Sequence, residues 1–305
     1  MERNTGRQGG RSDVTDADDR SRGDAYAALT DETRVRILLE LAAHYRNAWS
    51  EGWLSFSELR DRVGVEDAGR FSYHLGELQD EYVRKVGGEY RPQVAALEIA
   101  AAIRAGTYED ATTTADERRT DYACPHCDEA LVLTYRNRLL YLGCDTHGAA
   151  LAYPTPPRAL QGRTLSAVVD LSLRKHAGDV ALLRDGACPH CWGPAELTYP
   201  RGSVPDSYLL DDVPYATAAC ETCWLCYPLP VAHTVLGHPA VETLYAEHGL
   251  GPTAAQLGPH NLARTTGVDL RDEDSSGARL TVELDEGSLT LDLDENCNVV
   301  DHWRP

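Results

Sequence analysis

The feature that most constrains this chain is a five-residue repeat, ACPHC, which occupies residues 123–127 and again 187–191. In both copies two residues separate the cysteines, and a second ligand pair with the same separation follows further along. Two intervening residues allow a tight turn that directs both side chains at one tetrahedral ion. The repeat therefore predicts two small β hairpins that each close around a metal ion, as in a zinc ribbon.

The first predicted site has the spacing C-x2-C-x16-C-x2-H. Between its ligand pairs, LVLTYRNRLLYLG has the pattern strand, turn at 136–138, strand, and this hairpin would bring the two pairs together. Reduced or disulfide-paired cysteines are the alternative, but a disulfide would leave the histidine unexplained. The predicted ligands are Cys124, Cys127, Cys144 and His147.

The second predicted site has the spacing C-x2-C-x28-C-x2-C, with AELTY and YATAA as hairpin strands. Cys226 extends the last pair to C-x2-C-x2-C and is a possible substitute ligand, although the pair before it mirrors the first site. Both sites would have four protein ligands, which is typical of structural zinc, whereas catalytic zinc keeps an open position. The predicted ligands are Cys188, Cys191, Cys220 and Cys223.

Residues 23–110 have the element order of a winged helix-turn-helix domain. A helix with Thr30 as its N-cap is followed by a Ser55–Glu58 capping box that starts a second helix. The stretch GRFSYHLGEL forms a third helix, and YVRKV-GG-EYRPQ forms a hairpin, or wing, before the alanine-rich helix VAALEIAAAIRA.

The third helix has a pattern typical of a recognition helix. With Phe71, Leu75 and Leu78 facing inward, polar side chains occupy the first half of the remaining surface. That half enters the major groove in helix-turn-helix proteins, while wing side chains meet phosphates. The candidate DNA contacts are Arg70, Ser72, Tyr73 and His74 on the helix and Arg84, Lys85 and Arg91 on the wing.

The remaining segments complete an α+β protein. Residues 158–184 and 238–248 have helical patterns, and the C-terminus alternates as a small antiparallel β meander with an acidic face and a turn at 285–288. The predicted organisation is a disordered tail at 1–22, the winged helix at 23–110, a linker at 111–122, the first ribbon at 123–155, a helical connector at 156–184, the second ribbon at 185–232, and a helix with the meander at 233–305.

Composition indicates the salt concentration and the compartment in which this protein works. The net charge is −19, and only two of the 29 basic residues are lysines. An acid-rich, lysine-poor surface is typical of proteins from molar salt, where the Debye length of about 3 Å screens repulsion from DNA. Neither a signal peptide nor an apolar run of membrane length is present, so we expect a soluble cytoplasmic protein. Since no common catalytic motif occurs, we do not expect an enzyme.

The N-terminal segments together resemble the DNA-binding domain of ArsR-type transcriptional regulators. The resemblance covers ALTDETRVRILLEL, SFSELRDRVG and FSYHLGELQDEYVRKVGGEYR, and the layout is similar to that of halophilic archaeal members followed by zinc-ribbon segments. It implies a homodimer that pairs through the terminal helices, here 24–29 and 93–105, and binds double-stranded DNA. Some members sense metal through cysteines in the second helix, but no cysteine precedes Cys124.

The sequence thus predicts a DNA-binding transcriptional regulator with two structural zinc ions and a C-terminal module that binds a protein partner, an effector or a second protomer. Two alternatives stay open. The net charge of residues 23–110 is −6, with 10 basic and 16 acidic side chains, so the winged helix could instead serve protein contact in a zinc-ribbon adaptor of the transcription machinery. A metal or redox sensor would act through a labile second ribbon that involves Cys226.

Overall fold

The computed structural model describes residues 26–48, 53–108, 115–124, 126–198, 213–270 and 277–305. The chain divides into two compact units, Met1–Tyr108 and Glu109–Pro305. The predicted tail at 1–22 lies outside the described residues. The two units together form a mixed α/β protein with seven α-helices and four antiparallel sheets among the described residues.

The N-terminal unit has the element order that the sequence predicts. A small antiparallel sheet, in the order β1-β3-β2, accompanies four helices. The elements are α1 (Glu32–Ala48), β1 (Leu54–Ser55), α2 (Phe56–Val63), α3 (Ala68–Gly76), β2 (Val83–Val86), β3 (Glu89–Pro92) and α4 (Val94–Ala105), with a short 3-10 turn at Ala28–Thr30 before α1.

Local hydrogen bonds fix the helix ends of this unit. The Ser55–Glu58 capping box at the start of α2 is confirmed, and Gly64 ends that helix in the left-handed region at φ 74°. The prediction of Thr30 as the cap of α1 is wrong. The carboxylate of Asp31 accepts from the N–H groups of Thr33 and Arg34, whereas the Thr30 hydroxyl donates to the Ala27 carbonyl.

Apolar side chains from every element of the N-terminal unit fill its core, and α4 contributes through its inner face. Thirteen residues are buried in it, and the rings of Phe56 and Phe71 meet edge to face at 5.1 Å between centroids. Burial on this scale stabilises the unit by the hydrophobic effect. None of the nine cysteines belongs to this unit.

The C-terminal unit begins with a four-stranded antiparallel sheet in the order β4-β5-β6-β7. Its central hairpin is the predicted one, with a two-residue turn at Asn137 and Arg138, both with positive φ. The strands are β4 (Ala115–Ala123), β5 (Ala130–Arg136), β6 (Leu139–Cys144) and β7 (Gly148–Pro154).

The predicted linker at 111–122 is wrong for residues 115–122, which form most of β4. The strand lies at the edge of the sheet and is held by backbone pairing with β5, for example Arg118 with Leu133. Backbone pairing at an edge requires no apolar alternation, so the polar sequence ADERRTDYA gave no strand pattern.

Two further sheets follow. The second has the order β8-β9-β10, and the third, at the C-terminus, has the order β11-β12-β13-β14. The turn between β12 and β13 is shorter than the predicted 285–288, because Leu284 already pairs with Gly287. The elements are α5 (Leu165–Arg184), β8 (Ala195–Thr198), β9 (Tyr215–Cys220), β10 (Cys226–Pro230), α6 (Pro239–Glu247), α7 (Leu262–Thr265), β11 (Thr266–Leu270), β12 (Ala278–Leu284), β13 (Gly287–Leu293) and β14 (Val299–Trp303).

Helix α5 contributes to two apolar cores. Its first half places Val168 and Leu173 in the core under the first sheet. Its second half places Val180 and Leu183 in a larger core shared with the second sheet, α6 and the C-terminal sheet. The segment predicted as a connector therefore packs at the centre of the unit. Among the described residues, no helix combines the length and apolarity needed to cross a membrane.

Candidate metal centres and nucleic-acid interface

The first cysteine–histidine cluster has the dimensions of a tetrahedral metal site. The Sγ atoms of Cys124 and Cys144 each lie 3.6 Å from His147 Nδ1, and Cys127 Sγ lies 3.7 Å from Cys144 Sγ. A tetrahedral ion with metal–sulfur bonds of about 2.3 Å separates its sulfur ligands by about 3.8 Å. A disulfide would need about 2.05 Å, so these thiols are free.

The second cluster has the same dimensions with four sulfur atoms. Cys188 Sγ lies 3.6 Å from Cys223 Sγ, and Cys191 Sγ lies 3.5 Å from Cys220 Sγ. All four ligand atoms lie within 4.8 Å of one another, as they do in the first cluster. Cys226 is outside this cluster, because it begins β10 and its backbone pairs with Ala219. The structure therefore assembles both predicted four-residue sets.

The same backbone turn positions the ligands at three of the four ligand pairs. The N–H after the second cysteine donates to the carbonyl of the first, from Asp128 to Cys124, from Trp192 to Cys188, and from Trp224 to Cys220, at 2.9–3.1 Å. The residue after each pair has positive φ: 60° at Asp128, 81° at Gly148, 61° at Trp192 and 60° at Trp224. Positive φ is costly for tryptophan, so the surrounding structure must hold these two turns in place.

Backbone N–H groups favour the thiolate form in each cluster. The N–H of Thr146 donates to Cys144 Sγ at 3.4 Å, and that of Cys223 donates to Cys220 Sγ at 3.5 Å. Burial opposes ionisation of Cys144, but hydrogen bonds from Thr146 and His147 lower its pKa to about 6. The N–H of Cys223 lowers the pKa of Cys220 to about 6. The pKa values of the neighbouring thiols shift the other way: although backbone hydrogen bonds lower them, burial and the adjacent sulfur atoms raise the pKa of Cys127 to about 11 and that of Cys223 to about 12. Each cluster thus favours one thiolate, and because metal ions bind thiolates, the donor sets suit a cation.

The clusters leave out the two histidines inside the repeat. His126 and His190 are both exposed, and neither belongs to a set of atoms close enough to bind one ion. Each cluster thus has four ligands from the chain and no fifth cysteine or histidine among the described residues. A closed ligand set of this kind stabilises a fold, because no position remains for a substrate.

In the N-terminal unit, α3 presents an exposed polar face. Arg70, Ser72 and Tyr73 are all exposed, and 58% of Tyr73 is accessible. The guanidinium of Arg34 lies 5.6 Å from the centre of the Tyr73 ring and bonds to Glu77 at 3.3 Å. The Asp67 carboxylate caps the helix by accepting from the Arg70 N–H. These contacts fix the face on a rigid helix.

The fourth helix residue that was predicted to contact DNA, His74, faces the core instead. His74 is only 6% exposed, and its Nδ1 lies 3.5 Å from the carboxylate of Asp31. It follows Phe71 by three positions, which puts it beside Phe71 and Leu75 on the inward face. The prediction of His74 as a DNA contact is therefore wrong, and helical spacing alone would have excluded it.

The hairpin carries its three predicted basic residues in two environments. Arg84 and Lys85 are exposed, with the Lys85 ammonium 5.1 Å from the centre of the Tyr90 ring. Arg91 is partly buried, with its guanidinium 5.3 Å from the Tyr45 ring and 5.2 Å from the Trp53 ring. Stacking on two rings leaves Arg91 less free to reach a phosphate than the other two.

One cluster of polar residues escaped the sequence analysis. His176 on α5 is partly buried, His233 after β10 is buried, and their ring centroids lie 5.6 Å apart. Single histidines far apart in the sequence show no ligand spacing, so only the tertiary structure brings them together. They line a cavity in the C-terminal unit.

Fold and clusters thus define a two-unit α/β protein with two candidate metal centres in its C-terminal unit. Residues 121–299 match the family described as Domain of unknown function (DUF7351), and residues 22–103 match the one described as Domain of unknown function (DUF7347). The first match covers more than half of the chain, so the protein belongs to the DUF7351 family. No curated protein and no solved structure matches the chain significantly.

Proposed function

We propose that this protein is a sequence-specific DNA-binding transcriptional regulator, with an ArsR-like winged helix-turn-helix in its N-terminal unit. In this proposal α2 and α3 are the helix-turn-helix, α3 enters the major groove, and the β2–β3 hairpin is the wing. The observation that carries the proposal is the exposed face formed by Arg70, Ser72 and Tyr73 in the first half of α3. That is the part of a recognition helix that contacts base edges.

The chemistry of this face suits a base pair edge. An arginine can bond to guanine O6 and N7, a serine hydroxyl can donate or accept, and a tyrosine adds apolar contact and a hydroxyl. Arg84 and Lys85 on the hairpin are exposed and would meet phosphates. His74 takes no part, since its side chain packs inward against Asp31.

The acidic composition shifts the balance of the proposed contacts. Residues 23–110 have a net charge of −6, so long-range attraction to DNA is absent. In molar salt, screening over about 3 Å leaves only close contacts to act. Recognition would therefore depend more on base contacts by α3 than on phosphate contacts.

We propose that each cluster in the C-terminal unit holds a structural zinc ion. Tetrahedral sets of four cysteines, or of three cysteines and one histidine, are typical structural zinc sites. When bound, the ion supplies cross-links between two turns that apolar burial alone does not hold. The chain's own contribution is the set of N–H···S bonds and left-handed turns that place the ligands.

We further propose a homodimer, as the ArsR resemblance implies. The helix α4 is compatible with this role because Val94 is 73% exposed and Leu97 and Ile103 are only partly buried. A second copy that covers these side chains would complete the burial of α4.

Selection from fragmented genomic DNA tests the proposed function. The zinc-loaded protein is incubated with the fragments in molar KCl, beside the variant Arg70→Ala/Tyr73→Ala. The matched control, Arg46→Ala/Tyr108→Ala, removes an exposed arginine and an exposed tyrosine elsewhere in the same unit. We expect discrete sites to be enriched by the wild type and the control and lost by the α3 variant. Enrichment of the same sites by all three proteins would refute the proposed role of α3.

A second candidate function is that of a protein-docking adaptor. The observation in its favour is a pair of exposed tryptophans at the second cluster, Trp192 at 80% and Trp224 at 79% exposure. Exposed tryptophans are enriched at protein interfaces. If the selection enriches no DNA site, this candidate becomes the better one. The sensor alternative has less support, because Cys226 does not compete for the second cluster in this geometry.

A further inference from the structure

A partly open cavity of about 320 Å³ lies in the C-terminal unit, between β7, α5 and β10. Apolar side chains dominate its wall, among them Leu151, Leu173, Val180 and Leu229. A cavity of about 150 Å³ accommodates benzene, and ligand pockets begin at about 300 Å³. The space therefore suits a molecule of one or two rings.

One polar side chain in the wall has unmet hydrogen-bonding capacity. His233 is 6% exposed, and neither of its ring nitrogens has a hydrogen-bond partner among the described residues. Burial lowers the pKa of His233 to about 3, so the ring is neutral near pH 7 and offers one donor and one acceptor. A buried polar group without a partner is destabilising, which makes such a group in a cavity wall a mark of a binding site.

A second wall residue adds another unmet acceptor. Gln256 is 5% exposed, and its Oε1 has no partner within the described part of the chain. Both Gln256 and His233 line the same cavity. The unmet atoms each have less than 1 Å² of accessible surface, so a bound molecule that both donates and accepts would satisfy them together once the two side chains turn toward it.

The charged residue of the wall is already neutralised. Asp179 is buried and accepts from the Tyr153 hydroxyl and from the Lys175 ammonium. Burial lowers the pKa of the neighbouring His176 to about 4, so that ring is also neutral near pH 7. The cavity thus offers no free charge to an ionic ligand, and burying an ion there would be unfavourable.

We infer that the C-terminal unit binds a small uncharged ring compound with a hydroxyl group, which lies in this cavity and bonds to His233 and Gln256. The inference goes beyond DNA binding and does not depend on it. In the wider account the compound is the effector of a regulator, but its binding is a property of the C-terminal unit. A cavity that holds only water is the competing explanation.

Calorimetry with defined probes tests the inference on the zinc-loaded full chain in molar KCl. The probes are phenol and benzyl alcohol, with benzene as the apolar reference and benzoate and benzylamine as charged references. We expect saturable binding of the two hydroxyl compounds, about tenfold weaker binding of benzene, and no binding of the ions. Equal affinities for phenol and benzene, or no saturable binding of any neutral probe, would overturn the inference.

Substitution of His233 by leucine locates the interaction. His233→Leu retains the approximate volume and removes both unmet nitrogens, while His302→Leu is the matched control at an exposed histidine outside the cavity. We expect phenol affinity to fall about tenfold in His233→Leu only, with benzene affinity unchanged in both. Unchanged phenol affinity in His233→Leu would contradict the assignment.

A second variant keeps the test open if His233→Leu does not fold. Leu151→Trp enlarges a partly buried wall residue of β7 that lies on the same strand face as Tyr153. We expect it to abolish binding of all neutral probes while the wild-type protein retains it. Persistent phenol binding in this variant would place the compound elsewhere and refute the inference. Because none of these readouts uses DNA, failure of the DNA proposal would be recorded separately.

Discussion

The two units of this chain reach stability by different means. The N-terminal unit packs thirteen buried apolar residues and contains no cysteine. The C-terminal unit contains all nine cysteines, two four-ligand clusters and three antiparallel sheets. Its buried candidate ligands are themselves members of the apolar cores: Cys124, Cys144, Cys188 and Cys220. The difference teaches that the candidate metal ligands of the second unit are part of its apolar cores, so binding of an ion there would be coupled to core packing, whereas the first unit has an apolar core without such ligands.

Metal removal should have the largest effect, and it should destabilise the C-terminal unit while leaving the N-terminal unit folded. Chelation or Cys144→Ser should unfold the first cluster and its sheet, because structural zinc contributes about 10 kcal/mol or more in small domains. Helix α3 and its neighbours should remain folded. After chelation, amide hydrogen exchange resolved by segment would show protection lost in residues 115–198 and 213–230 and kept in residues 32–105.

The control for metal removal is Cys226→Ser, which changes an exposed thiol outside both clusters. It should leave the metal content and exchange pattern of the wild type unchanged. Loss of protection in the N-terminal unit on chelation would show that the two units are not stabilised independently.

Acid should weaken the C-terminal unit through two histidines, His176 and His233, that its fold keeps neutral. Burial holds the pKa of His176 at about 4 and that of His233 at about 3, below the value of about 6.5 in an unfolded chain. The unfolded state therefore takes up protons first, and stability falls as the pH drops below about 6.5. The free energy of unfolding should fall by roughly 1 kcal/mol per pH unit for each histidine.

The matched measurement is urea unfolding of wild type, His233→Leu and His302→Leu between pH 7 and pH 5. As the pH falls, the free energy of unfolding of the wild type should decrease more than that of His233→Leu. His302→Leu should follow the wild type throughout. A pH-independent difference would mean that His233 is not buried in its neutral form.

A smaller effect is expected from the helix cap of the N-terminal unit. Ser55→Ala removes the side chain that accepts from the Glu58 N–H, and loss of such a cap costs about 1 kcal/mol. Ser72→Ala, at an exposed serine of α3, should leave the free energy of unfolding nearly unchanged. Denaturant unfolding of both variants measures this contrast. Equal losses in the free energy of unfolding would mean that the cap is not formed.

The smallest effect on stability is expected at the exposed tryptophans. Trp192→Ala and Trp224→Ala should each change the free energy of unfolding by no more than about 0.5 kcal/mol, because their rings contribute little to the core. Thermal unfolding of the zinc-loaded variants measures this. A large loss would assign the rings a packing role and remove the support for the docking candidate.

Sequence reasoning succeeded where the signal is local. The Ser55–Glu58 box, the two-residue cysteine spacings and the hairpin between β5 and β6 each depend on neighbours within a few positions. It failed on His74. Helical spacing places this residue beside Phe71 and Leu75, but it was not assigned to the inward face. It also missed β4, because an edge strand held by backbone bonds has no apolar alternation.

The cavity and its histidines could not be predicted, for a different reason. His176, His233 and Gln256 come from three separate segments of the chain, and only the tertiary structure brings them to one cavity. No alternation or ligand spacing in the sequence identifies such a set. The choice between Cys223 and Cys226 was similar, since it depends on where β10 begins.

The proposed contact of α3 with DNA is tested most directly by an affinity measurement on one enriched site. Fluorescence anisotropy in molar KCl would compare wild type, Arg70→Ala and Arg46→Ala, together with single-base changes in the site. We predict that Arg70→Ala loses about tenfold or more in affinity and discriminates less at one base pair, while Arg46→Ala matches the wild type. Equal affinity and equal base preference of all three proteins would contradict the account.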